Sequence, residues 1–287
     1  MFKYFLITCW YRVKLKVLRM DKWRCGAVVV ARDEGRIIRT CLESLKSQTA
    51  DLFLVVVNDS SLDNTGKVAS EQADVVVNLP RHEKSWTGRP ELAKVTNAGF
   101  EVLRKKDISY VLISGADAVY PSNYVEEITS RMRDGKIVLA SGFAEGDVSR
   151  SLTPRGCGRV IERQWFENVG FRYPENYNFE GYLVYKALSQ GRKVTVFRDL
   201  RFKLSRKTKL SQRKLYLWGK GMRALNYWWP YAIGRIILIG LRQPRNGYEM
   251  LRGYLSKTPQ YEDVKHFVPN YQVRTFVSRA KETIRHF

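Results

Sequence analysis

The chain is short of negative charge, of histidine and of long apolar runs, and each shortage narrows what it can do. Asp and Glu number 28 against 50 Lys and Arg, a formal net charge of +22 over 287 residues. That excess implies an anionic partner: nucleotide phosphates, lipid head groups or nucleic acid. Three histidines, His82, His266 and His286, are too few for a multi-histidine metal site. The four cysteines (Cys9, Cys25, Cys41, Cys157) have no CxxC spacing and no nearby histidine. Reduced, mostly buried thiols in a cytoplasmic setting are therefore expected, not thiolate metal ligands. No apolar stretch reaches the roughly 17 clean residues that a membrane span requires. The turn after the first apolar run, Arg32-Asp33-Glu34-Gly35, lacks the glycine-rich phosphate loop with which nucleotidyltransferases usually open.

What is present is a set of short, β-branched runs ending on polar turn clusters. Val55-Val56-Val57 stops on Asn58-Asp59-Ser60-Ser61, and Val111-Leu112-Ile113 runs into Ser114-Gly115-Ala116-Asp117. Such runs read as buried parallel strands. Further strands are expected at 26–31, 52–57 and 74–78. Helices are expected from Ile37 to about Gln48, with Asp33 as cap, and at 61–69 with Asp63 in the first turn. Others are expected at 90–104, 121–132 and 181–190. The alternation predicts a doubly wound, mostly parallel α/β sheet. Ligands of such sheets bind outside the carboxyl ends of the strands, where Asp59 and Asp117 both fall.

Six pieces in order carry a resemblance: Val-Val-Val-Ala-Arg-Asp-Glu-Gly (28–35), Cys-Leu-Glu-Ser-Leu-Lys-Ser-Gln-Thr (41–49), Val-Val-Asn-Asp-Ser-Ser-Leu-Asp-Asn-Thr (56–65), Gly-Arg-Pro-Glu-Leu-Ala-Lys-Val-Thr-Asn-Ala-Gly (88–99), Gly-Ala-Asp-Ala-Val-Tyr-Pro-Ser-Asn-Tyr-Val (115–125) and Phe-Glu-Gly-Tyr-Leu-Val-Tyr-Lys-Ala-Leu-Ser-Gln-Gly-Arg-Lys-Val (179–194). Over residues 25–197 the chain resembles a family 2 glycosyltransferase of the GT-A fold. The resemblance implies transfer of a sugar from a UDP- or GDP-sugar to an acceptor, with inversion and a divalent cation, Mg²⁺ or Mn²⁺. By position, Ala31, Asp33, Glu34, Asp59 and Arg89 resemble donor-nucleotide residues, with Asp59 accepting the base's ring N–H. Asp117 resembles the metal-binding aspartate of the family's Asp-x-Asp signature, and Glu180, eleven residues before Gly191, the catalytic carboxylate.

The match has departures. Gly115 replaces the first acid of Asp-x-Asp, leaving one carboxylate for a cation, so metal binding is expected but weaker. Mg²⁺ can complete such a shell with phosphate oxygens and water. Asn58 stands where an acid often precedes Asp59. Glu180 is a longer base than the usual aspartate, with Phe179 in place of the acid before it. Trp165, Phe166, Phe171, Tyr173 and Tyr177 precede Glu180 and suit either stacking on a sugar or core packing. Taken singly, strand-end aspartates are more often turn or cap residues. Glu180 alone would suit a helix dipole.

The flanks extend the charge argument. Residues 1–22 combine an apolar patch (Phe2, Tyr4, Phe5, Leu6, Ile7, Trp10) with Arg12, Lys14 and Lys16. They read as a surface anchor, as an element packed on the body, or as sequence preceding a start at Met20. The glycosyltransferase domain is placed at 23–202, followed by a basic, aromatic-rich helical region at 203–287. From Arg198 to Ala224 ten basic residues face one acid, and the run from Tyr227 to Leu241 is aromatic, then apolar, broken by Pro230 and Arg235. Basic residues beside such sequence suit a segment lying on an anionic membrane, or a helical cap over the sheet. The first reading places the chain peripherally at the cytoplasmic face and implies a lipid-linked or glycan acceptor. The processive signature Gln-x-x-Arg-Trp is not matched at Gln212, so single transfer is expected. Two further readings are a non-catalytic sugar-nucleotide binder, raised by Gly115, and a basic nucleic-acid-binding protein. The second leaves three acids without purpose in a phosphate-binding pocket, so no nucleic acid partner is expected.

Overall fold

The computed structural model describes residues 25–146, 153–206 and 211–285. The N-terminal segment 1–22, with its three readings, and Cys9 lie outside the described residues. The β-branched runs form the strands expected. β1 (Cys25–Ala31), β2 (Leu52–Asn58), β3 (Val75–Asn78) and β4 (Tyr110–Gly115) pair in parallel in the order β3-β2-β1-β4. Alternate side chains serve two cores. Ala27, Val29 and Ala31 meet Ile38, Cys41, Leu42 and Leu45 of α1 (Ile38–Lys46) and Val68 of α2 (Thr65–Gln72). Val28, Val55 and Val57 meet Ala93, Phe100 and Leu103 of α3 (Glu91–Arg104) on the other face. Because both faces are covered, the strands are apolar throughout and not alternating.

The sheet continues through residues whose strand character is weaker. β7 (Arg159–Glu162) runs antiparallel between β4 and β6 (Ile137–Ala144). β8 (Lys193–Leu204) runs parallel to β6, and β5 (Ala118–Val119) pairs antiparallel with the end of β8. The eight strands lie in the order β3-β2-β1-β4-β7-β6-β8-β5. β5 follows β4 in the chain after only Ala116 and Asp117, yet lies at the far end of that order. The sheet therefore curls until its last strand returns beside the centre, and Asp117 occupies the turn that joins the two. This mixed, mostly parallel sheet agrees with the expected fold class.

Two local expectations are corrected, and one left open is decided. Asp33 does not cap α1: it adopts a left-handed φ of 53° and its carboxylate accepts from Leu62 N–H at 2.7 Å, tying two strand-end loops together. Asp63 precedes α2 and accepts from Thr65 N–H and Gly35 N–H, each at 2.9 Å, in the same web. The bonds to Leu62 and Gly35 N–H join loops 29 and 28 positions apart in sequence. Of the aromatic run, Trp165 and Phe166 of α5 (Arg163–Asn168) and the following Phe171 and Tyr173 are core. Phe100 packs edge-on against Phe166 at 5.1 Å. Only Tyr177 of that run is half-buried.

After α4 (Tyr124–Gly135), α5 and α6 (Phe179–Ser189), the basic region folds as α7 (Gln212–Ala224), α8 (Trp229–Arg242), α9 (Pro244–Leu255) and α10 (Phe267–Arg285). Pro230 lies in the first turn of α8, where a proline has no N–H to lose, and so opens the helix instead of breaking it. α7 and α9 pack backbone to backbone. A methyl group on Gly219 would come within 2.6 Å of Tyr254 N, and one on Gly253 would overlap the Tyr216 carbonyl. The helices reach the body through α6, where Tyr185 joins Leu225, Tyr261, Val264 and Val268 in one cluster.

Candidate active site

The strand registers set Ala31 opposite Asn58 and Val30 opposite Gly115, which brings the carboxyl ends of β1, β2 and β4 level. On that edge Asp59 is 3% exposed, and its backbone N–H reaches Ala31 O at 2.8 Å. Its carboxylate is already engaged: His82 Nε2 donates to Oδ1 at 2.8 Å, and Arg32 lies 3.9 Å from Oδ2. Arg32 also donates to His82 Nδ1 at 2.7 Å, and the imidazole lies flat on Trp86, with ring centroids 3.5 Å apart. The tautomer protonated at Nε2 serves Asp59 and Arg32, whereas the Lys84 carbonyl, 2.9 Å from Nδ1, would be served by a proton on Nδ1. A base approaching Asp59 must displace His82 from that oxygen. His82 was not foreseen as a site residue; lying just beyond β3, the strand beside β2, it could have been.

The second centre joins three strands. Glu34, just beyond β1, accepts both terminal nitrogens of Arg206, one of them at 3.1 Å. Arg206 Nε donates to Asp117 at 3.2 Å. Arg206 lies just past the end of β8, fixed there by the β5–β8 pairing and by Ser205 N–H to Asp117 O at 2.7 Å. Burial raises the Glu34 pKa, against the opposing pull of Arg206, and the Asp117 charge adds to the rise. The Arg206 pKa is raised: burial opposes its charge, but the two carboxylates outweigh that. A Cβ on Gly115 would lie 2.9 Å from Asp117 Oδ1, so the position of the missing acid does face the same carboxylate.

Glu180 stands in the first turn of α6, whose cap Asn178 accepts from Gly181 N–H at 3.2 Å. Among the described residues its carboxylate makes no hydrogen bond, and a Cβ on Gly156 would overlap it. Burial raises the Cys157 thiol pKa, and the Asp117 and Glu180 carboxylates both add to the rise. Gly156, on which the Glu180 carboxylate lies, adjoins Cys157, whose Sγ accepts from Gly115 N–H at 3.5 Å two residues before Asp117, so Glu180 and Asp117 lie on the same side of the sheet edge. Cys25 and Cys41, buried, are pushed up to about 12, so they stay protonated and unreactive near neutrality. Arg89 is half-buried before α3, its guanidinium without an ion pair among the described residues. Asp33 is taken up in the loop web through Leu62 N–H.

The arrangement offers a nearly buried carboxylate at Asp59, a guanidinium held between Glu34 and Asp117, and at Glu180 a carboxylate with no hydrogen bond among the described residues. EpsH from Bacillus subtilis (strain 168), which carries a provisional glycosyltransferase name, is 29% identical over 126 residues. That match takes in 44% of this chain and 35% of EpsH, about a third of the relative's own length. S. aureus TarS (residues 1–349), solved with UDP-GlcNAc, superposes with a TM-score of 0.53 at 13% identity over 82% of this chain and 73% of that one. The mannosyltransferase PcManGT from Pyrobaculum calidifontis, solved with GDP-Man and Mn²⁺, gives 0.55 at 14% identity over 81% and 70%. At such identities these two establish a common GT-A-like fold. The model of glycosyl transferase family 2 matches residues 27–201 of 287, and the chain belongs to that family.

Proposed function

We propose that the protein transfers a sugar, with inversion, from a UDP- or GDP-sugar to a lipid-linked or membrane-associated acceptor. The carrying observation is that Asp59, Asp117 and Glu180 come from three separate segments to one edge of the sheet, beside a cationic side chain. In this reading Asp59 and the backbone near Ala31 receive the base, with Asp33 and Glu34 on the floor and Arg89 toward the diphosphate. Glu180 takes the proton from the acceptor hydroxyl as the new bond forms. Its carboxylate has no hydrogen bond among the described residues, which leaves it available for that.

A divalent cation suits the same place. Glu34 and Asp117 converge on a single cationic group, the Arg206 guanidinium, and Mg²⁺ or Mn²⁺ takes one or two carboxylates together with phosphate oxygens and water. Bound there, it would neutralise charge on the departing nucleotide diphosphate. Arg206 and Arg89 would supply positive charge from the chain itself. The neighbours solved with UDP-GlcNAc and with GDP-Man and Mn²⁺ support a donor and cation of these kinds.

Membrane apposition rests on α8 and α9. Trp229, Leu238 and Leu241 are 68%, 66% and 78% exposed, with Tyr248 and Leu255 exposed beside them and Arg235, Arg242, Arg245 and Arg252 interspersed. No helix among the described residues is long and apolar enough to cross a membrane. A large apolar face with basic residues matches a helix lying in an anionic interface. These features support a peripheral position at a membrane surface, in this reading its cytoplasmic face.

The test is nucleotide release from a panel of UDP- and GDP-sugars with Mg²⁺ or Mn²⁺ and membrane-lipid extract, beside the Asp117→Ala variant. Release by the unaltered protein that needs metal and falls at least tenfold in the variant is expected. A chain that binds nucleotide yet releases none with any acceptor would be a sugar-nucleotide binder only. Absence of nucleotide binding would end the glycosyl-transfer reading.

A further inference from the structure

One charge in the described chain lies deeper than the rest and has no part in the site so far. Arg159, the first residue of β7, is 1% exposed and the largest fully buried side chain. Among the described residues it makes no ion pair. Its guanidinium instead donates to three main-chain carbonyls: Pro154 O at 2.7 Å, Arg155 O at 3.0 Å and Glu180 O at 2.9 Å. Tyr173 Oη lies 3.4 Å from Nη1. Keeping an unpaired guanidinium out of water is costly, and an apolar side chain of similar volume would fill the space without that cost. The carbonyls it holds have a pattern. Two belong to the loop that leads into Gly156 and Cys157, and the third is Glu180's own.

That loop forms the wall against which the Glu180 carboxylate lies, since a Cβ on Gly156 would overlap it. One planar group thus grips both the wall and the residue the wall supports. The Glu180 carbonyl is also the helix acceptor for the fourth residue on, and the arginine uses its second lone pair. We infer that Arg159 is the positioning residue for Glu180: it fixes the carboxylate's backbone to the loop beside it and places a buried positive charge within its field. This rests on Glu180 serving as the base.

Tyr173 reports the electrostatic half. Burial pushes its phenol up, Arg159 opposes that and the Glu180 carboxylate adds to it, so both charges act on the same hydroxyl.

The experiment compares Arg159→Met, Arg159→Lys and Glu180→Gln in nucleotide calorimetry and in steady-state turnover. For Arg159→Met, nucleotide affinity within about threefold of the unaltered protein is expected, with kcat lower by roughly 10–100-fold. Arg159→Lys keeps the charge but not the planar fork, so a smaller loss of kcat is expected. Should Arg159→Met fail to fold, Arg159→Lys decides alone: wild-type kcat there overturns the proposal. Wild-type kcat in folded Arg159→Met, or a loss of nucleotide affinity matching the loss of kcat, also overturns it. Full turnover in Glu180→Gln would instead remove the base reading itself, which separates the two failures.

Discussion

Replacement of Glu180 by glutamine is expected to lower sugar transfer by about 10²–10⁴-fold, the usual share of a general base, while nucleotide affinity stays within about twofold. Glutamine matches glutamate in shape, so it fills the same slot beside Gly156 and leaves the first turn of α6 intact. Its amide cannot accept a proton near neutrality. The cap Asn178 and the clamp on the residue's own carbonyl are untouched, because both act on the backbone. Steady-state kinetics with the preferred donor, together with calorimetry of the free nucleotide, would separate chemistry from binding. Retained turnover would mean that the proton leaves by another route. A matched loss of nucleotide affinity would mean that Glu180 belongs to donor binding.

The second large effect concerns stability. Gly253→Val is expected to lower the melting temperature by about 5–10 °C, from an overpacking penalty of roughly 1–3 kcal/mol or somewhat more and a few degrees per kcal/mol at this size. The obstacle is backbone, since the added carbon would overlap the Tyr216 carbonyl of α7, so the two helices must separate. Gly219 closes the same contact from the other side, and Met250, buried between the helices with Leu215 and Met222, would lose its packing. Gly253→Ala sharpens the test: alanine favours a helix by about 1 kcal/mol over glycine, so a fall in melting temperature in that variant isolates the close approach. Unchanged melting in both would show that α7 and α9 tolerate separation.

The parts of this fold that were legible in the sequence are those where local pattern and tertiary role coincide. β1, β2 and β4 are buried on both faces, and their apolar runs say so. Asp59 and Asp117 could be placed because a parallel strand delivers whatever follows it to the ligand edge. The second half of the sheet was less visible. Along most of β8 the side chains are only half-buried or exposed, so no apolar run announces it. Arg206 was hidden by distance, lying 89 positions from Asp117 and 172 from Glu34 in the chain. Only the β5–β8 pairing brings them together. Arg159 looked like an ordinary basic residue among fifty, since nothing in sequence distinguishes an arginine that binds carbonyls in the core from one in water. Asp33 and Asp63 misled because the same side chain that caps a helix can tie a loop.

The stacked pair beside Asp59 carries a consequence of another kind. Trp86 has one face covered by His82, and His82 holds one of the two Asp59 carboxylate oxygens. In the proposed mode of donor binding, a base taking that oxygen would move His82 and so change what lies on the indole, to whose surroundings its emission responds. Trp86 would then be an optical reporter of donor binding. In a variant that keeps Trp86 as its one tryptophan, occupancy could be followed in real time, without label and without turnover.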